Sequence, residues 1–207
     1  MEVKTDYKRE LSDIRRMMAK SSRFISLSGL SGIFAGIYAL AGAFIAYKIG
    51  YRNFDLTFYD RLFERSSADT VYLLLDGLGI LTLTLITGFF FTKRKAKKDG
   101  IKMWSPASRL LLENLSYPLI AGGLICLILL EKGLVGLVAP LSLVFYGIAL
   151  VSCSAYTLRD IKFLGVCEII LGIIATFFIG YGLIFWAIGF GVLHIIYGTL
   201  MYYKYER

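Results

Sequence analysis

The fold is decided by residues 163–203, FLGVCEIILGIIATFFIGYGLIFWAIGFGVLHIIYGTLMYY. Two apolar runs, residues 163–179 and 183–203, are separated by only the three residues GYG. A helix needs about 20 mainly apolar residues to cross a hydrocarbon core about 30 Å thick, and both runs approach that length. So short a connection forces two consecutive helices to run antiparallel. The stretch therefore predicts a hairpin of two membrane-spanning helices.

Four further apolar runs precede this hairpin. Of the 207 residues, 57% are hydrophobic and only 18% are charged, and the mean hydropathy is +0.67. This composition excludes an ordinary soluble domain. We predict an all-α integral membrane protein whose residues 24–207 form one bundle of six transmembrane helices, paired as three hairpins. The four additional spans are predicted at about 24–47, 70–92, 115–130 and 133–156.

Lysine and arginine residues predict the orientation of the bundle. Short loops rich in these residues stay on the cytoplasmic side of a membrane. The tail 1–23 and the loop around 93–109 together hold most of the 23 lysines and arginines. Both termini are therefore predicted to be cytoplasmic, in a bacterial-type inner (plasma) membrane.

Three segments outside the spans have helical signals. Residues 1–23 are predicted to form a basic amphipathic segment on the cytoplasmic membrane surface. Residues 55–65 place apolar side chains at helical spacing and predict a second surface helix, on the outer side. Ser105 followed by Pro106 is typical of a helix start and predicts a third, interfacial helix before the third span.

The net charge of +8 is explained by basic residues next to the span ends. At these positions the basic residues attract the anionic headgroups of the bilayer, so we predict a lipid bilayer as the partner. We predict no nucleic-acid partner.

Small residues in the first span predict close helix packing. Gly29, Gly32 and Gly36 lie on one face of this helix. Helices in lipid associate through close approach at such residues, so we expect this face to be buried against a neighbouring helix. The spacing leaves open whether that neighbour belongs to the same chain or to a second copy, so a homo-oligomer remains a candidate assembly.

Three ionisable side chains within the spans are candidates for function: Asp76, Glu168 and His194. Such groups are costly in lipid and usually face a partner or a cavity. Because the fifth and sixth spans are adjacent, Glu168 and His194 are predicted to pair and to pass protons near neutral pH. With Asp76 they would form a ladder across the bilayer. Alternatively each makes one structural contact, Glu168 with Arg159 or Lys162 and His194 with a backbone carbonyl.

Two prolines and a tyrosine are further candidates. Pro118 and Pro140 interrupt the third and fourth spans, and Tyr146 adds a polar atom to the fourth. Broken membrane helices can line a transport pathway, so these residues predict a gate or pocket. The alternative is an ordinary proline kink in a bundle that transports nothing.

No catalytic motif is found, so we predict no enzyme, metal site or cofactor. A single histidine excludes a multi-histidine zinc site, and the glycine loops typical of nucleotide binding are absent. The tetrapeptide GLSG at 29–32 resembles the G-x-S-G motif of rhomboid intramembrane proteases. However, Ser31 lies in the first span rather than the fourth, and the second-span histidine and asparagine of that family are absent.

Two functional hypotheses follow. The first is a small transporter or channel with a polar or proton-linked pathway inside the bundle. The second is a non-catalytic membrane scaffold or regulator that binds a partner protein or lipid.

Overall fold

The computed structural model describes Phe24, residues 27–50 and residues 67–207. This part of the chain is all-helical, with about 88% of residues in helices and no strand among the described residues. The predicted surface segments 1–23 and 55–65 both lie outside the described residues.

Within the part of the chain that the structure describes, the bundle consists of five long helices and a composite last helix. The last helix has three consecutive parts, which together we term the terminal helix (residues 182–205). The bounds are α1 Gly29–Gly50, α2 Ser67–Lys98, α3 Pro106–Glu131, α4 Val138–Cys153, α5 Asp160–Phe177, α6 Gly182–Trp186, a π-helix Ala187–Leu193 and α7 His194–Tyr205. Short 3-10 turns lie at Val135–Leu137, Ser154–Tyr156 and Ile179–Tyr181.

Among the described residues, five segments are long and apolar enough to cross a membrane. Large apolar side chains cover the outside of the bundle, most extensively on α2 and α3. An exposed apolar surface of this extent is typical of contact with lipid. The five segments are Gly29–Lys48, Val71–Lys98, Pro106–Glu131, Val135–Tyr156 and Ile179–Tyr205.

α3 differs from the sequence-based expectation of an interfacial helix followed by a separate span. It is one continuous helix from Pro106 to Glu131, with Pro118 inside it. Ser105 caps its start, because the Ser105 hydroxyl accepts a hydrogen bond from the Ser108 N–H at 3.2 Å. Proline is tolerated within membrane helices because neighbouring groups satisfy the backbone carbonyl that it frees.

Both ends of the described chain meet at one end of the bundle, which we term the terminal end. The Phe24 N–H donates to the Tyr156 carbonyl at 2.7 Å, which brings the start of α1 to the turn between α4 and α5. The Glu206 carboxylate accepts from the Ser28 hydroxyl at 3.2 Å and from the Gly29 N–H. The Lys95 ammonium, 3.7 Å from the same carboxylate, adds the end of α2. At the opposite end the turns Val135–Leu137 and Ile179–Tyr181 contact each other.

Glycines allow α1 to approach the terminal helix closely. A Cβ atom at Gly36 would lie 2.6 Å from the Gly191 carbonyl oxygen, and one at Gly198 would lie 2.8 Å from the Gly29 carbonyl oxygen. Only glycine permits two backbones to approach this closely. Since the early glycine of α1 faces the late glycine of the terminal helix, the two helices are antiparallel.

α4 and α5 repeat this arrangement. A Cβ atom at Gly147 would lie 2.6 Å from the Gly165 carbonyl oxygen, and one at Gly172 would lie 2.8 Å from the Pro140 carbonyl oxygen. Gly165 and Gly172 have the same spacing as Gly29 and Gly36, and Pro140 and Gly147 have the same spacing as Gly191 and Gly198.

The bundle therefore contains two similar pairs of helices, which we term the two units. The first unit is α1 with the terminal helix, and α2 packs on α1. The second unit is α5 with α4. α3 packs on α4, the counterpart of the terminal helix, so α2 and α3 do not occupy equivalent positions and lie outside the repeat. The repeat is also visible in the sequence, because residues 29–39 and 165–175 carry identical residues at 29/165, 33/169, 36/172, 37/173 and 39/175.

Candidate functional site

A cluster of three polar side chains lies between the two units. We term it the triad: Tyr146 from α4, Glu168 from α5 and His194 from the start of α7. The Tyr146 hydroxyl lies 2.7 Å from His194 Nε2, and Glu168 Oε1 lies 3.5 Å from His194 Nδ1. Glu168 is 0% exposed and His194 is 6% exposed. Two units of the fold thus meet at a buried acid and a buried base.

The contacts of His194 assign its tautomer. His194 Nδ1 lies 3.0 Å from the Gly189 carbonyl oxygen, which can only accept a hydrogen bond. We therefore assign the proton of the neutral ring to Nδ1, which donates to Gly189. His194 Nε2 is then the acceptor for the hydroxyl of Tyr146. The ring is held at both nitrogens, and its Nδ1 side faces the carboxylate.

Glu168 has no hydrogen-bond partner among the described residues. Both carboxylate oxygens are buried without one. A Cβ atom at Gly189 would lie 2.5 Å from Glu168 Oε2, so glycine at this position leaves the room that the carboxylate occupies. Leu143, which is fully buried, forms another wall of the same space. A bare carboxylate is costly here, so the site holds it either protonated or balanced by a protonated His194.

The π-helix sets the position of His194. A π-helix winds more widely than an α-helix, and such segments are frequent at functional sites. Here the segment Ala187–Leu193 ends directly before His194, and the His194 side chain bonds to the carbonyl five residues earlier. The Phe190 ring packs beside the triad, 4.9 Å from the Tyr146 ring and 5.9 Å from the His194 ring between centroids. Apolar aromatic surface thus covers this side of the triad.

Asp76 is not part of this cluster. It lies on α2, where α2 packs on α1, and a Cβ atom at Gly42 would be 3.3 Å from Asp76 Oδ2. The structure brings Glu168 and His194 together and leaves Asp76 apart from them, so the three do not form one connected ladder.

The two proline candidates occupy different settings. Pro140 is fully buried in the first turn of α4, where its missing N–H costs no helical hydrogen bond. Its carbonyl faces Gly172, so this position is a packing contact rather than an opening. Pro118 lies in the interior of the continuous helix α3.

The glycines of the first span face the terminal helix of the same chain. A Cβ atom at Gly32 would lie 3.1 Å from the Gly198 Cα and 3.5 Å from the His194 carbonyl oxygen. Gly29 and Gly36 face Gly198 and Gly191 in the same way. This face therefore supports the helix that carries His194.

Sequence reasoning missed Gly189 and Phe190. Their signal is the run GFG at 189–191, three residues before the single histidine, although glycine is too frequent in membrane helices for this run to stand out. Within the described residues no group of three or more histidine, cysteine or acidic side chains is placed to hold a metal ion. Comparisons of the chain with protein-family models, curated proteins and solved structures give no match.

Proposed function

We propose that the chain is a small proton-linked membrane transporter and that the triad binds and releases the coupling proton. The observation that carries this proposal is Glu168, a fully buried carboxylate without a hydrogen bond among the described residues, 3.5 Å from His194. Ionisable groups at such depth in an apolar bundle are expensive and are typical of proton pathways. A purely structural ion pair would be expected to satisfy both carboxylate oxygens.

The position of the triad between the repeated units supports transport. Many transporters consist of internal repeats, bind their ions at the interface between the repeats, and work by rocking one repeat against the other. Here Tyr146 and Glu168 belong to one unit and His194 belongs to the other. Glycine contacts hold each unit together, so relative motion of the units would change the distance between the acid and the base. That change would couple proton affinity to the conformation of the bundle.

The proposed topology has six transmembrane helices with both termini in the cytoplasm of a bacterial-type cell. α5 is the sixth crossing, and its 18 residues include three charged ones, Asp160, Lys162 and Glu168, whereas each of the other five contains an 18-residue stretch with at most two. Its start lies at the terminal end and its last residue leads into the turn Ile179–Tyr181 at the opposite end. An even number of crossings agrees with the contact between Glu206 and Ser28, which joins the two ends of the described chain.

Proton flux tests the proposal. The purified chain is reconstituted into liposomes loaded with the pH dye pyranine, and an imposed pH gradient drives flux while valinomycin and potassium balance the charge. We expect flux with the natural chain and its loss with Glu168→Gln and with His194→Ala. The matched control is Glu113→Gln, which removes an exposed carboxylate of α3 and should leave the flux unchanged. Absence of flux, or equal flux in all four proteins, would contradict the proposal.

A membrane scaffold is the second candidate, and α2 favours it. Gly77 and Gly88 have no described atom within 4 Å of the position that a Cβ would occupy. Their spacing places them on the same face of the α-helix. Glycines on a membrane helix usually serve close packing, so a partner helix could use this face. Co-purification of the natural chain with a membrane protein, lost in a Gly88→Leu variant, would support this candidate over transport.

A further inference from the structure

A groove lies at the terminal end where α4 gives way to α5. Its volume is about 420 Å³, and it is lined by Val151, Ser154, Ala155, Arg159 and Lys162. The first three come from the end of α4 and the turn after it, and the two basic residues come from the start of α5. The groove thus combines an apolar side with a cationic side at the boundary of the apolar bundle.

The two basic side chains of the groove have no acidic partner among the described residues. Arg159 has helical backbone angles, so Arg159 and Lys162 lie one turn apart on the same face. Neither side chain makes a hydrogen bond or an ion pair with the described part of the chain. Two positive charges therefore face the groove together.

Both acids of α5 are turned away from this groove. The Asp160 carboxylate accepts from the Lys204 ammonium at 3.0 and 3.1 Å and from the Tyr205 hydroxyl at 2.7 Å. Glu168 is buried beside His194. Each acid of this helix thus contacts the terminal helix, and the charge of the groove stays uncompensated.

The lining matches a phosphate diester that carries acyl chains. An arginine and a lysine side by side donate charge-assisted hydrogen bonds to phosphate oxygens, and the arginine can do so with two N–H groups. Val151 and Ala155 offer apolar contact to the glycerol and acyl part of a lipid. The Ser154 hydroxyl donates to the Val151 carbonyl at 2.6 Å, so its oxygen is left to accept a hydrogen bond from a headgroup hydroxyl.

We infer that this groove binds the headgroup of an anionic phospholipid from the bilayer leaflet at the terminal end. Phosphatidylglycerol is the best chemical match, because its phosphate suits Arg159 and Lys162 and its hydroxyls suit Ser154. The inference does not depend on the proposed transport function, since lipid binding is measured without any flux.

Native mass spectrometry of the purified full chain tests the inference. The protein is titrated with phosphatidylglycerol or phosphatidylcholine of the same acyl chains. We expect one bound phosphatidylglycerol at concentrations at which phosphatidylcholine does not bind. The double variant Arg159→Gln/Lys162→Gln should lose on the order of 25-fold in apparent affinity, the combined effect of two basic residues near an anionic headgroup. The matched control Lys97→Gln/Lys98→Gln removes the same charge from the end of α2 and should bind as the natural chain does.

A second variant tests the groove without changing its charge. Ala155 is exposed, so Ala155→Phe should fold and should fill the groove, which lowers phosphatidylglycerol binding. This variant decides the question if the double variant fails to fold. Equal affinity of the natural chain and the Ala155→Phe variant, or equal affinity for both lipids, would overturn the inference. Displacement of the lipid by an equal concentration of glycerol phosphate would also overturn it, because the occupant would then be a soluble phosphate ester.

Discussion

The glycine contact between α4 and α5 should respond sharply to a single methyl group. In Gly147→Ala the new Cβ would lie 2.6 Å from the Gly165 carbonyl oxygen and 2.8 Å from the Ile169 nitrogen, whereas ordinary contact begins at 3.4 Å. Both neighbours are backbone atoms, so the two helices must separate. Overpacking of this kind costs about 1–3 kcal/mol, and alanine returns about 1 kcal/mol of helix propensity over glycine. We expect a net loss of about 1 kcal/mol in the free energy of unfolding.

The same substitution in α2 supplies the control. Gly88 has no described atom within 4 Å of a built Cβ, so Gly88→Ala should gain up to about 1 kcal/mol from helix propensity alone. Unfolding of both variants is followed by circular dichroism in detergent micelles titrated with sodium dodecyl sulfate. The two variants should therefore differ by the overpacking cost, about 1–3 kcal/mol. Equal stability of Gly147→Ala and Gly88→Ala would show that the α4–α5 contact does not depend on the absence of a side chain at Gly147.

Three further substitutions test the site and the terminal end. Tyr146→Phe removes the hydroxyl that bonds to His194 Nε2 and should shift the pH dependence of proton flux while the protein still folds. Gly189→Ala places a Cβ 2.5 Å from Glu168 Oε2 and should abolish flux by displacing the carboxylate, as measured with pyranine in liposomes. Glu206→Gln weakens the charge-assisted cap at the start of α1 and should cost about 1 kcal/mol of unfolding free energy in the micelle titration.

Each of these variants has a matched control elsewhere in the chain. Tyr197→Phe removes the tyrosine hydroxyl at the equivalent repeat position, and it should leave the pH dependence unchanged. Gly123→Ala adds a methyl group where no described atom is near, and it should leave flux intact. Glu131→Gln removes an exposed carboxylate at the far end of α3 and should unfold as the natural chain does. If a control variant changes the flux or the stability as much as the test variant does, the contact removed in the test variant is not the cause of the change.

The all-helical architecture follows from properties that act locally along the chain. Run length and apolar content decide which segments form membrane-type helices. Over residues 27–50 and 67–207 the structure confirms an all-helical fold with five helices long and apolar enough to cross a membrane. The short connection at 180–182 also makes α5 and the terminal helix neighbours. The sequence can therefore predict that Glu168 and His194 lie close together. Ser105 and Pro106 start α3 as their residue types indicate.

Other features depend on contacts between distant segments and were not readable. Tyr146 was a candidate as a polar atom in its own helix, but its contact with His194 depends on how α4 packs on the terminal helix. No amino-acid composition is typical of a π-helix, because packing rather than intrinsic propensity selects the wider turn. The segment Ala187–Leu193 therefore could not be predicted from its residues. Asp76 and Glu168 are both ionisable side chains within predicted spans, so the sequence selects them equally. However, Asp76 lies on a helix that packs on α1 and away from the triad.

The two-unit repeat bears on how an acid–base pair can originate. Aligning Gly29 with Gly165 places Gly32 at the position of Glu168, and aligning Gly147 with Gly198 places Leu143 at the position of His194. Each ionisable residue thus stands where the sister unit keeps a small or apolar one. In a fold with two similar units, one ionisable residue from each unit is enough to place an acid beside a base at the boundary between the units. The outer glycines of the contact, Gly29 with Gly165 and Gly36 with Gly172, are the same in both units, whereas the packing glycine Gly32 stands where the other unit carries Glu168.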